Sequence, residues 1–329
     1  MKALVTGGAG FIGSHVAEEL LRKKIDCVVL DDLSGGFKEN VPDGAEFVCG
    51  SILDEGLVNR LFAEHRFDYV YHLAAYAAEG LSHFIKRFNY QNNLLGSVNI
   101  INASVNFGAK CLVFTSSIAV YGKNQLPMSE DLTPTPEDPY GIAKYAVEQE
   151  LKVSKEMFGL DYIIFRPHNV YGERQNTGDR YRNVIGIFMN QITQGSPVTV
   201  FGDGEQTRAF SYVGDVAPVI AASAFKPECY GHVFNIGADE VYTVNELAKE
   251  VFRAIGTKTS IDYLAERKEV KHAYSDHRKV REFFGDRKRT ALREGLAKMA
   301  GWVKEAGCRE SPRFENIEIR MNLPEVWTL

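Results

Sequence analysis

The opening stretch, MKALVTGGAGFIGSHVAEELL, constrains the fold of this chain more than any other. Its apolar run Lys2–Thr6 predicts a strand, and Ile12–Arg22 continues with the periodicity of a helix. Between them Gly7, Gly10 and Gly13 follow the spacing G-x-x-G-x-x-G. Such a tight turn needs positive φ or a missing Cβ, and the helix that follows presents backbone amides and a positive dipole end to an anion. The stretch therefore predicts a strand–turn–helix unit that binds a pyrophosphate.

An acidic residue follows at the distance that a dinucleotide site requires. Asp31 ends the second predicted strand, in DCVVLDD. A carboxylate there can accept hydrogen bonds from an adenosine ribose diol and would repel a 2′-phosphate. The alternative is a structural glycine turn with Asp31 as a loop cap. The order of strand, glycine turn, helix, strand and acid favours dinucleotide binding, with NAD preferred over NADP.

Strand and helix patterns alternate through the first half of the chain. Further strands are predicted at Cys27–Leu30, Glu46–Cys49, Tyr69–Leu73, Cys111–Thr115 and Asp161–Phe165, and further helices at Glu55–Glu64, Asn93–Phe107 and Tyr140–Phe158. This alternation predicts an α/β fold with a Rossmann-type, doubly wound parallel sheet.

The character of the sequence changes after Arg166, where Gly and Pro become more frequent and the predicted strands become short. We expect residues 1–166 to form a dinucleotide-binding domain, to which the chain returns around 211–237. Residues 167–329 are expected to form a smaller, mixed α/β lobe that binds the substrate.

Net charge, apolar stretches and cysteine content limit the classes of protein to which this chain can belong. The net charge of −5 provides no basic surface for nucleic acid, and no apolar stretch approaches the roughly 20 residues of a membrane span. A strand pattern from residue 2 leaves no room for a signal peptide, so we expect a cytoplasmic protein. The five cysteines include no C-x-x-C pair and no accompanying histidine cluster, which predicts free buried thiols and no metal site; they are Cys27, Cys49, Cys111, Cys229 and Cys308.

A second motif indicates proton chemistry. In PYGIAKYAVEQEL, Tyr140 and Lys144 are four residues apart and so share one helical face. An ammonium beside a phenol is expected to lower the phenol pKa from about 10, which would make Tyr140 a general base. A surface pair is the alternative. The preceding strand ends in the hydroxyls of Thr115, Ser116 and Ser117, and strand ends of this kind form the ligand crevice of a parallel sheet, so we favour a catalytic group.

Seven segments together resemble a known family. They are VTGGAGFIGSH (5–15), HLAA (72–75), NNLLGSVNII (92–101), TSSIAVYG (115–122), YGIAK (140–144), RPHNVYGERQ (166–175) and GDGEQTRAFSYVGDV (202–216). Their order and content resemble the extended short-chain dehydrogenases/reductases, in particular the nucleotide-sugar epimerase/dehydratase group. The set is specific for the group and much less specific for the substrate.

The resemblance implies a bound NAD and a set of contacts to it. The pyrophosphate is expected at Gly7, Gly10, Phe11, Ile12 and Gly13, and the adenosine ribose at Asp31 and Asp32. Leu73, Ala74 and Ala75 would line the path to the nicotinamide, with Asn93 beneath it. Further cofactor contacts are expected at Ser34, Ile52, Thr115 and Pro167.

The resemblance also implies roles around the reacting sugar. Tyr140 would be the base, Lys144 would hold the nicotinamide ribose, and Ser117 rather than Ser116 would pass the proton. A nucleotide-sugar diphosphate, with a UDP-sugar favoured, would bind Asn169 and Arg208. Additional substrate contacts are expected at Phe201 and Arg267.

The predicted helices Asn93–Phe107 and Tyr140–Phe158 carry apolar residues on more than one face. This pattern favours a homodimer like that of relatives, and the alternative is coverage by the chain's own second lobe.

Four positions depart from the family pattern. Ser51 replaces an acid that often lies near the adenine and is expected to be a weaker cofactor contact there, and His168 stands in RPHN where galactose epimerases have RYFN. Ala209 replaces the acid of GDGxxxRDF, and Arg267 is one residue out of the common register. For His168 we favour a structural role over substrate binding.

The residues after Ser117 bear on the reaction. Dehydratases of the group carry Asp-Glu there, whereas this chain has Ile118 and Ala119, and a 3,5-epimerase would need a cysteine at Ala119. The remaining chemistry is C4 inversion of a UDP-sugar of the glucose/galactose type through a transient 4-keto intermediate. UDP-glucuronate decarboxylation or 4-epimerisation, GDP-mannose-type epimerisation and a non-catalytic nucleotide-sugar sensor remain alternatives.

Overall fold

The computed structural model describes residues 1–267, 269–307, 309 and 313–327. Its strands are β1 (Lys2–Thr6), β2 (Asp26–Asp31), β3 (Glu46–Cys49), β4 (Tyr69–His72), β5 (Cys111–Thr115), β6 (Asp161–Pro167), β7 (Val170–Tyr171), β8 (Val198–Phe201), β9 (Thr207–Ala209), β10 (Ser211–Tyr212), β11 (Val233–Ile236), β12 (Val241–Thr243), β13 (Ile261–Leu264) and β14 (His272–Ala273).

The helices are α1 (Phe11–Arg22), α2 (Glu55–His65), α3 (Glu79–Ser82), α4 (Lys86–Tyr90), α5 (Gly96–Asn106), α6 (Pro139–Phe158), α7 (Val184–Thr193), α8 (Val213–Ser223), α9 (Val244–Ile255), α10 (Arg278–Phe284) and α11 (Leu292–Ala306). A π-helical turn, Gln91–Leu95, joins α4 to α5. Short 3-10 turns lie at Lys38–Asn40, Ile118–Tyr121, Pro227–Cys229 and Glu325–Trp327.

Seven parallel strands form the central sheet, in the order β3–β2–β1–β4–β5–β6–β11. The strand order reverses between β1 and β4, where Ala3 pairs with Cys27 on one side and Tyr69 on the other. In such sheets the crevice for a ligand lies outside the carboxyl ends of the strands at this reversal. The predicted doubly wound, Rossmann-type fold is confirmed.

Helices cover both faces of the sheet, and the strands are apolar on both sides for that reason. On one face, α1 packs against α8 through buried residues such as Leu20 and Ile220. On the other face, α2, α5 and α6 contribute buried residues such as Phe62, Ile100 and Val147. The helix α8 and the strand β11 follow β10 in the chain, so segments after residue 212 complete the sheet domain.

The second lobe combines short strands with three helices. It contains the pair β8–β13, the three-stranded sheet β12–β9–β14 and the helices α7, α9 and α11, which share a buried cluster. A capping box begins α9: the amide of Glu246 donates to the Thr243 hydroxyl, and the Thr243 amide donates to the Glu246 carboxylate. This combination of strands and helices is the smaller, mixed α/β lobe expected from the sequence.

The cysteine prediction is partly wrong. Cys27, Cys111 and Cys229 are free and buried, but Cys49 is exposed because it ends β3, the edge strand of the sheet. Cys308 lies outside the described residues. Among the residues with described structure, no helix has the length and apolarity needed to cross a membrane.

Candidate active site

A cavity of about 440 Å³ opens between the carboxyl edge of the sheet and the second lobe. Nearly all the residues predicted for the site line it: Gly7, Gly10, Phe11, Ile12, Gly13, Asp31, Asp32, Ser34, Ile52, Leu73, Ala74, Ala75, Thr115, Ser117, Tyr140, Lys144, Pro167, Asn169, Phe201, Arg208 and Arg267. Ser51 and Asn93 lie outside this wall.

The glycine turn is shaped by contacts that a side chain would block. Gly7 has φ of 71°, and a Cβ on Gly13 would lie 2.1 Å from the carbonyl oxygen of Gly7. Gly10 is the N-cap of α1 and has no side chain to occupy the first amides of the helix. Those amides face the cavity, so the residues present fit a bound pyrophosphate.

Asp31 joins the end of β2 to the glycine turn. Its Oδ2 accepts the Ala9 amide at 3.0 Å and its Oδ1 accepts the Leu33 amide at 2.8 Å. Burial raises the pKa of Asp31, while these amides act in the opposite direction. The adjacent Asp32 is exposed and accepts the Ser34 amide at 2.9 Å. Both carboxylates therefore stand at the rim where an adenosine ribose would lie.

Tyr140 lies in the first turn of α6, which begins where the Asp138 carboxylate accepts the Gly141 amide at 2.9 Å. The Lys144 Nζ lies 5.8 Å from the centre of the Tyr140 ring and donates to the Thr115 carbonyl at 2.8 Å. The predicted acidification of Tyr140 by Lys144 is wrong for the protein without ligands. Burial raises the pKa of Tyr140 and lowers that of Lys144 to about 7, and desolvation is the largest cause of both shifts.

The two serines at the end of β5 have different partners. Ser116 donates to the Glu148 carboxylate at 2.5 Å, and Glu148 is also bound to Arg166, whose Nε lies 3.0 Å away. Ser117 hydrogen-bonds the Tyr140 phenol and lies in the cavity wall. The Ser116 hydroxyl is thus part of a buried ion-pair network, and the Ser117 hydroxyl is the one that faces the phenol.

Two buried polar side chains in the cavity wall have no hydrogen-bond partner among the described residues. They are the hydroxyl of Thr115 and the amide of Gln175, whose nitrogen and oxygen are both unpaired. Buried polar groups are rarely left so, and a ligand in the cavity would satisfy them. Gln175 was missed from the sequence, although it ends the quoted segment RPHNVYGERQ.

Asn93 holds the segment that follows β4. Its Oδ1 accepts the Tyr76 amide at 2.8 Å, and its Nδ2 donates to the Tyr76 carbonyl at 3.1 Å. It therefore supports the loop carrying Leu73–Ala75 from behind the wall. Ser51 accepts the Leu53 amide at 3.2 Å within its own turn.

The second lobe contributes three cationic or amide side chains to the cavity. The Arg208 guanidinium donates to the carbonyls of Thr207 and Val270 at 2.9 and 2.6 Å. Asn169 has φ of 39°, and its Nδ2 donates to the Ala209 carbonyl at 3.2 Å. The carbon Cζ of Arg267 lies 4.4 Å from the centre of the Phe201 ring.

His168 is buried and lies outside the cavity wall. Its Nδ1 lies 3.0 Å from the Ala209 carbonyl and its Nε2 lies 2.9 Å from Nε2 of His277, which in turn contacts Asp239 at 2.7 Å. Burial lowers the pKa of His168 to about 3, so it is neutral. Two departures from the family pattern, His168 and Ala209, are thus in direct contact.

Two acidic side chains near Tyr140 were not predicted. Glu79 is exposed to the cavity, and Asp138 is buried beside it in the cavity wall. Burial and then the charge of Glu79 raise the pKa of Asp138 to about 7. Burial also raises the pKa of Glu79, against the opposing charges of Arg208 and Arg267. Neither residue belongs to a recognisable motif, so no sequence signal pointed to them.

No group of three or more His, Cys, Asp or Glu side chains is placed to hold a metal ion within the described ranges. The cavity wall provides a hydroxyl pair, a lysine, a glycine turn and the two acids Glu79 and Asp138.

Comparisons with known proteins agree with this geometry. Residues 3–237 match the family model described as the NAD dependent epimerase/dehydratase family. A UDP-glucose 4-epimerase of Mycolicibacterium smegmatis is 34% identical over 306 residues, covering 91% of this chain and 97% of its own.

Two solved structures are also similar. A UDP-glucose 4-epimerase of Thermotoga maritima with UDP-glucose has a TM-score of 0.89 at 36% identity, covering 93% of this chain and 99% of its own. A UDP-glucose 4-epimerase of Thermus thermophilus in complex with NAD has a TM-score of 0.88 at 33% identity, covering 93% of this chain and all of its own.

Proposed function

This chain belongs to the NAD-dependent epimerase/dehydratase family, and from that premise we propose that it inverts C4 of a UDP-sugar of the glucose/galactose type through a transient 4-keto intermediate. The observation that carries the proposal is the meeting of the Tyr140 and Ser117 hydroxyls in one cavity with the glycine turn of α1. That cavity has a place for a dinucleotide on one side and for a nucleotide sugar on the other.

The cofactor side is formed by the sheet domain. NAD bound there would accept the hydride of C4 and return it. The amides that follow Gly10 would hold the pyrophosphate, and Asp31 with Asp32 would accept the hydroxyls of the adenosine ribose. The unpaired Thr115 hydroxyl and the Lys144 ammonium lie together at the opposite end, where the second ribose would bind.

The proton chemistry belongs to Tyr140 and Ser117. The Tyr140 phenolate would accept the proton of the C4 hydroxyl, directly or through the Ser117 hydroxyl, as C4 is oxidised. A C4 ketone results, and no water or carbon dioxide is released. After the ketone has presented its other face, Tyr140 would return its proton to the C4 oxygen as the ketone is reduced.

The phenolate must be generated within the site, because burial raises the Tyr140 pKa in the protein alone. The charge of a nearby oxidised nicotinamide and of the Lys144 ammonium would favour the phenolate. Burial lowers the pKa of Lys144 to about 7, and an anionic neighbour would favour its charged form.

Charge in the cavity favours a neutral sugar. Arg208, Arg267 and Asn169 provide cationic and amide groups for the diphosphate. The sugar would then extend toward Tyr140, past Glu79 and Asp138. In their ionised forms these acids would repel a carboxylate at C6, which disfavours UDP-glucuronate as the substrate of decarboxylation or 4-epimerisation, and the raised pKa of both acids reduces this repulsion at neutral pH.

We also propose which parts of the chain bind each ligand and how two copies of the chain associate. Residues 1–166 with the returning segment 211–237 would bind the dinucleotide, and the rest of 167–329 would bind the nucleotide sugar. A homodimer would form through α5 and α6, because Ile142, Val153 and Met157 share one exposed face of α6. A cytoplasmic location stays a prediction.

A substrate panel tests the proposed reaction. Purified protein with NAD is incubated with UDP-glucose, UDP-galactose, their N-acetyl forms, UDP-glucuronate and GDP-mannose, and the products are separated by chromatography. We expect interconversion of a neutral UDP-sugar pair with no net change in absorbance at 340 nm. A UDP-pentose product would support decarboxylation instead, and nucleotide binding without any product would support the sensor.

A further inference from the structure

The last described residues of the chain return to the substrate cavity. The segment 313–327, here called the C-terminal segment, runs along α3 and α4. The Glu318 amide donates to the Phe84 carbonyl at 2.8 Å, and the Glu318 carboxylate accepts the amides of Arg87 and Phe88 at 2.9 and 3.1 Å. The segment is thus fixed to the loop region that follows β4.

Trp327 is the anchor of this segment. It is 5% exposed and packs in a cluster with Ala78, Leu81, Ile85 and Tyr181. Its ring meets the Tyr181 ring edge to face, with centroids 5.5 Å apart. Close packing within this cluster fixes the position of the indole ring.

One side of that indole contacts an arginine of the substrate site. The Arg267 Cζ lies 4.4 Å from the centre of the Phe201 ring and 5.9 Å from that of Trp327, and the two rings are 6.2 Å apart. On its free side the guanidinium donates to Glu269 at 3.0 Å. Two aromatic faces and one carboxylate therefore determine where this cation points.

The same contact reaches the residue next to Glu79. A Cβ on Gly80 would lie 3.3 Å from Cη2 of Trp327 and 3.5 Å from a terminal nitrogen of Arg267. Trp327 itself does not line the cavity, whereas Glu79, Gly80, Phe201 and Arg267 do. Trp327 therefore affects the shape of the cavity wall only through the lining residues that it contacts.

We propose that Trp327 is a positioning residue that holds Arg267 in the cavity wall, which makes the C-terminal segment a part of the nucleotide-sugar site. The proposal rests on the proposed function, since Arg267 is there a ligand of the diphosphate. It also accounts for the register of Arg267 in the sequence: the side chain reaches the cavity because Phe201 and Trp327 hold it between them.

The test separates positioning from stability. In Trp327→Leu we expect the KM for UDP-glucose and the Kd for UDP to rise about five- to tenfold, as loss of one cation–π contact and its geometry would give, with kcat within about twofold. Trp327→Phe keeps an aromatic face and should recover most of the affinity. In an Arg267→Met background, Trp327→Leu should add no further loss. Trp302→Leu, at the other tryptophan, is the matched control and should lower the melting temperature without raising KM.

A spectroscopic measurement covers the case in which Trp327→Leu does not fold. Trp302→Phe leaves Trp327 as the single tryptophan of the chain, and UDP-glucose should then shift or quench its emission as Arg267 engages the diphosphate. Unchanged emission at saturating UDP-glucose, or unchanged affinity in a folded Trp327→Leu, would overturn the proposal while leaving the epimerase assignment intact. A native protein that neither binds nor converts any UDP-sugar would overturn both.

Discussion

The Lys144 ammonium donates to the Thr115 carbonyl at 2.8 Å, so the helix that carries Tyr140 is tied to the strand end that carries Ser117. Lys144 is 2% exposed, and the ring of Phe114 lies 4.7 Å from its Nζ. The amine is therefore hydrogen-bonded and desolvated, and its charge depends on which ligand binds beside it. We therefore expect Tyr140 to become reactive only when ligands occupy the site.

Tyr140→Phe removes the proton acceptor and leaves the ring. We expect kcat for the UDP-sugar to fall by about 10²–10⁴, the range for loss of a general base, with the Kd for UDP changed less than twofold. Tyr145→Phe, one residue beyond Lys144 on the same helix, is the control and should retain its activity. Turnover assays and calorimetry measure the two quantities, and full activity in Tyr140→Phe would refute the assigned base.

Ser117→Ala and Ser116→Ala make the same small change at neighbouring hydroxyls. Ser117 contacts the phenol, so its loss should lower kcat about 10- to 100-fold with little change in melting temperature. Ser116 serves Glu148, so its loss should cost about 1–3 kcal/mol of unfolding free energy and leave kcat nearly unchanged. Paired urea titrations and rate assays would show a reversed pattern if Ser116 were the relay.

Asp31→Ala tests cofactor choice. Removing this carboxylate should weaken NAD about tenfold or more and reduce the discrimination against NADP, since both the ribose acceptor and the repulsion of a 2′-phosphate are lost. Asp26→Ala, at the exposed opposite end of β2, is the matched control. Kd values for both dinucleotides give the ratio, and an unchanged NADP/NAD ratio would contradict the role of Asp31.

The sequence predicted the sheet, the glycine turn and the Tyr140–Lys144 pair because each depends on residues close together in the chain. Glu79, Asp138 and Trp327 carry no motif, and their positions result from packing between segments far apart in sequence. The spacing to Lys144 predicted a lowered pKa for Tyr140, whereas burial raises that pKa in the protein without ligands, because a four-residue separation says nothing about burial. Asn93 was placed in the right neighbourhood, but its amide is bound to Tyr76 behind the cavity wall.

His168→Phe tests the buried histidine pair through pH. His168 has a pKa of about 3 when folded and about 6.5 when unfolded, so as pH falls below about 6.5 the unfolded chain binds a proton that the folded protein does not. Stability is therefore lost as pH falls from about 6.5 toward 3, by up to about 1.4 kcal/mol per pH unit. His168→Phe, which restores the residue of RYFN, should flatten the slope of unfolding free energy between pH 6 and 4 by about that amount. Urea titrations at several pH values with identical slopes in both proteins would contradict this assignment.

Glu79→Gln tests whether charge at the sugar end sets substrate class. Glu79 stands in the cavity within electrostatic reach of Tyr140 and Asp138, and burial raises its pKa. The nearby Arg182 is paired with Asp179 at 2.6 Å, so its charge is offset, whereas the charges of Arg208 and Arg267 reach Glu79 and partly offset its own. A uronate substrate would meet Glu79 and Asp138 at its C6 carboxylate, and the repulsion depends on the fraction of these acids that is ionised.

We expect the native protein to use UDP-glucuronate poorly, and Glu79→Gln to raise kcat/KM for UDP-glucuronate relative to UDP-glucose about tenfold, as removal of one like charge would give. Glu55→Gln, in the first turn of α2 and outside the cavity wall, is the control. Competition assays with both sugars measure the ratio directly. If the native protein already prefers UDP-glucuronate, or if the ratio falls in Glu79→Gln, then Glu79 binds the sugar as a hydrogen-bond acceptor, and charge repulsion does not select the substrate.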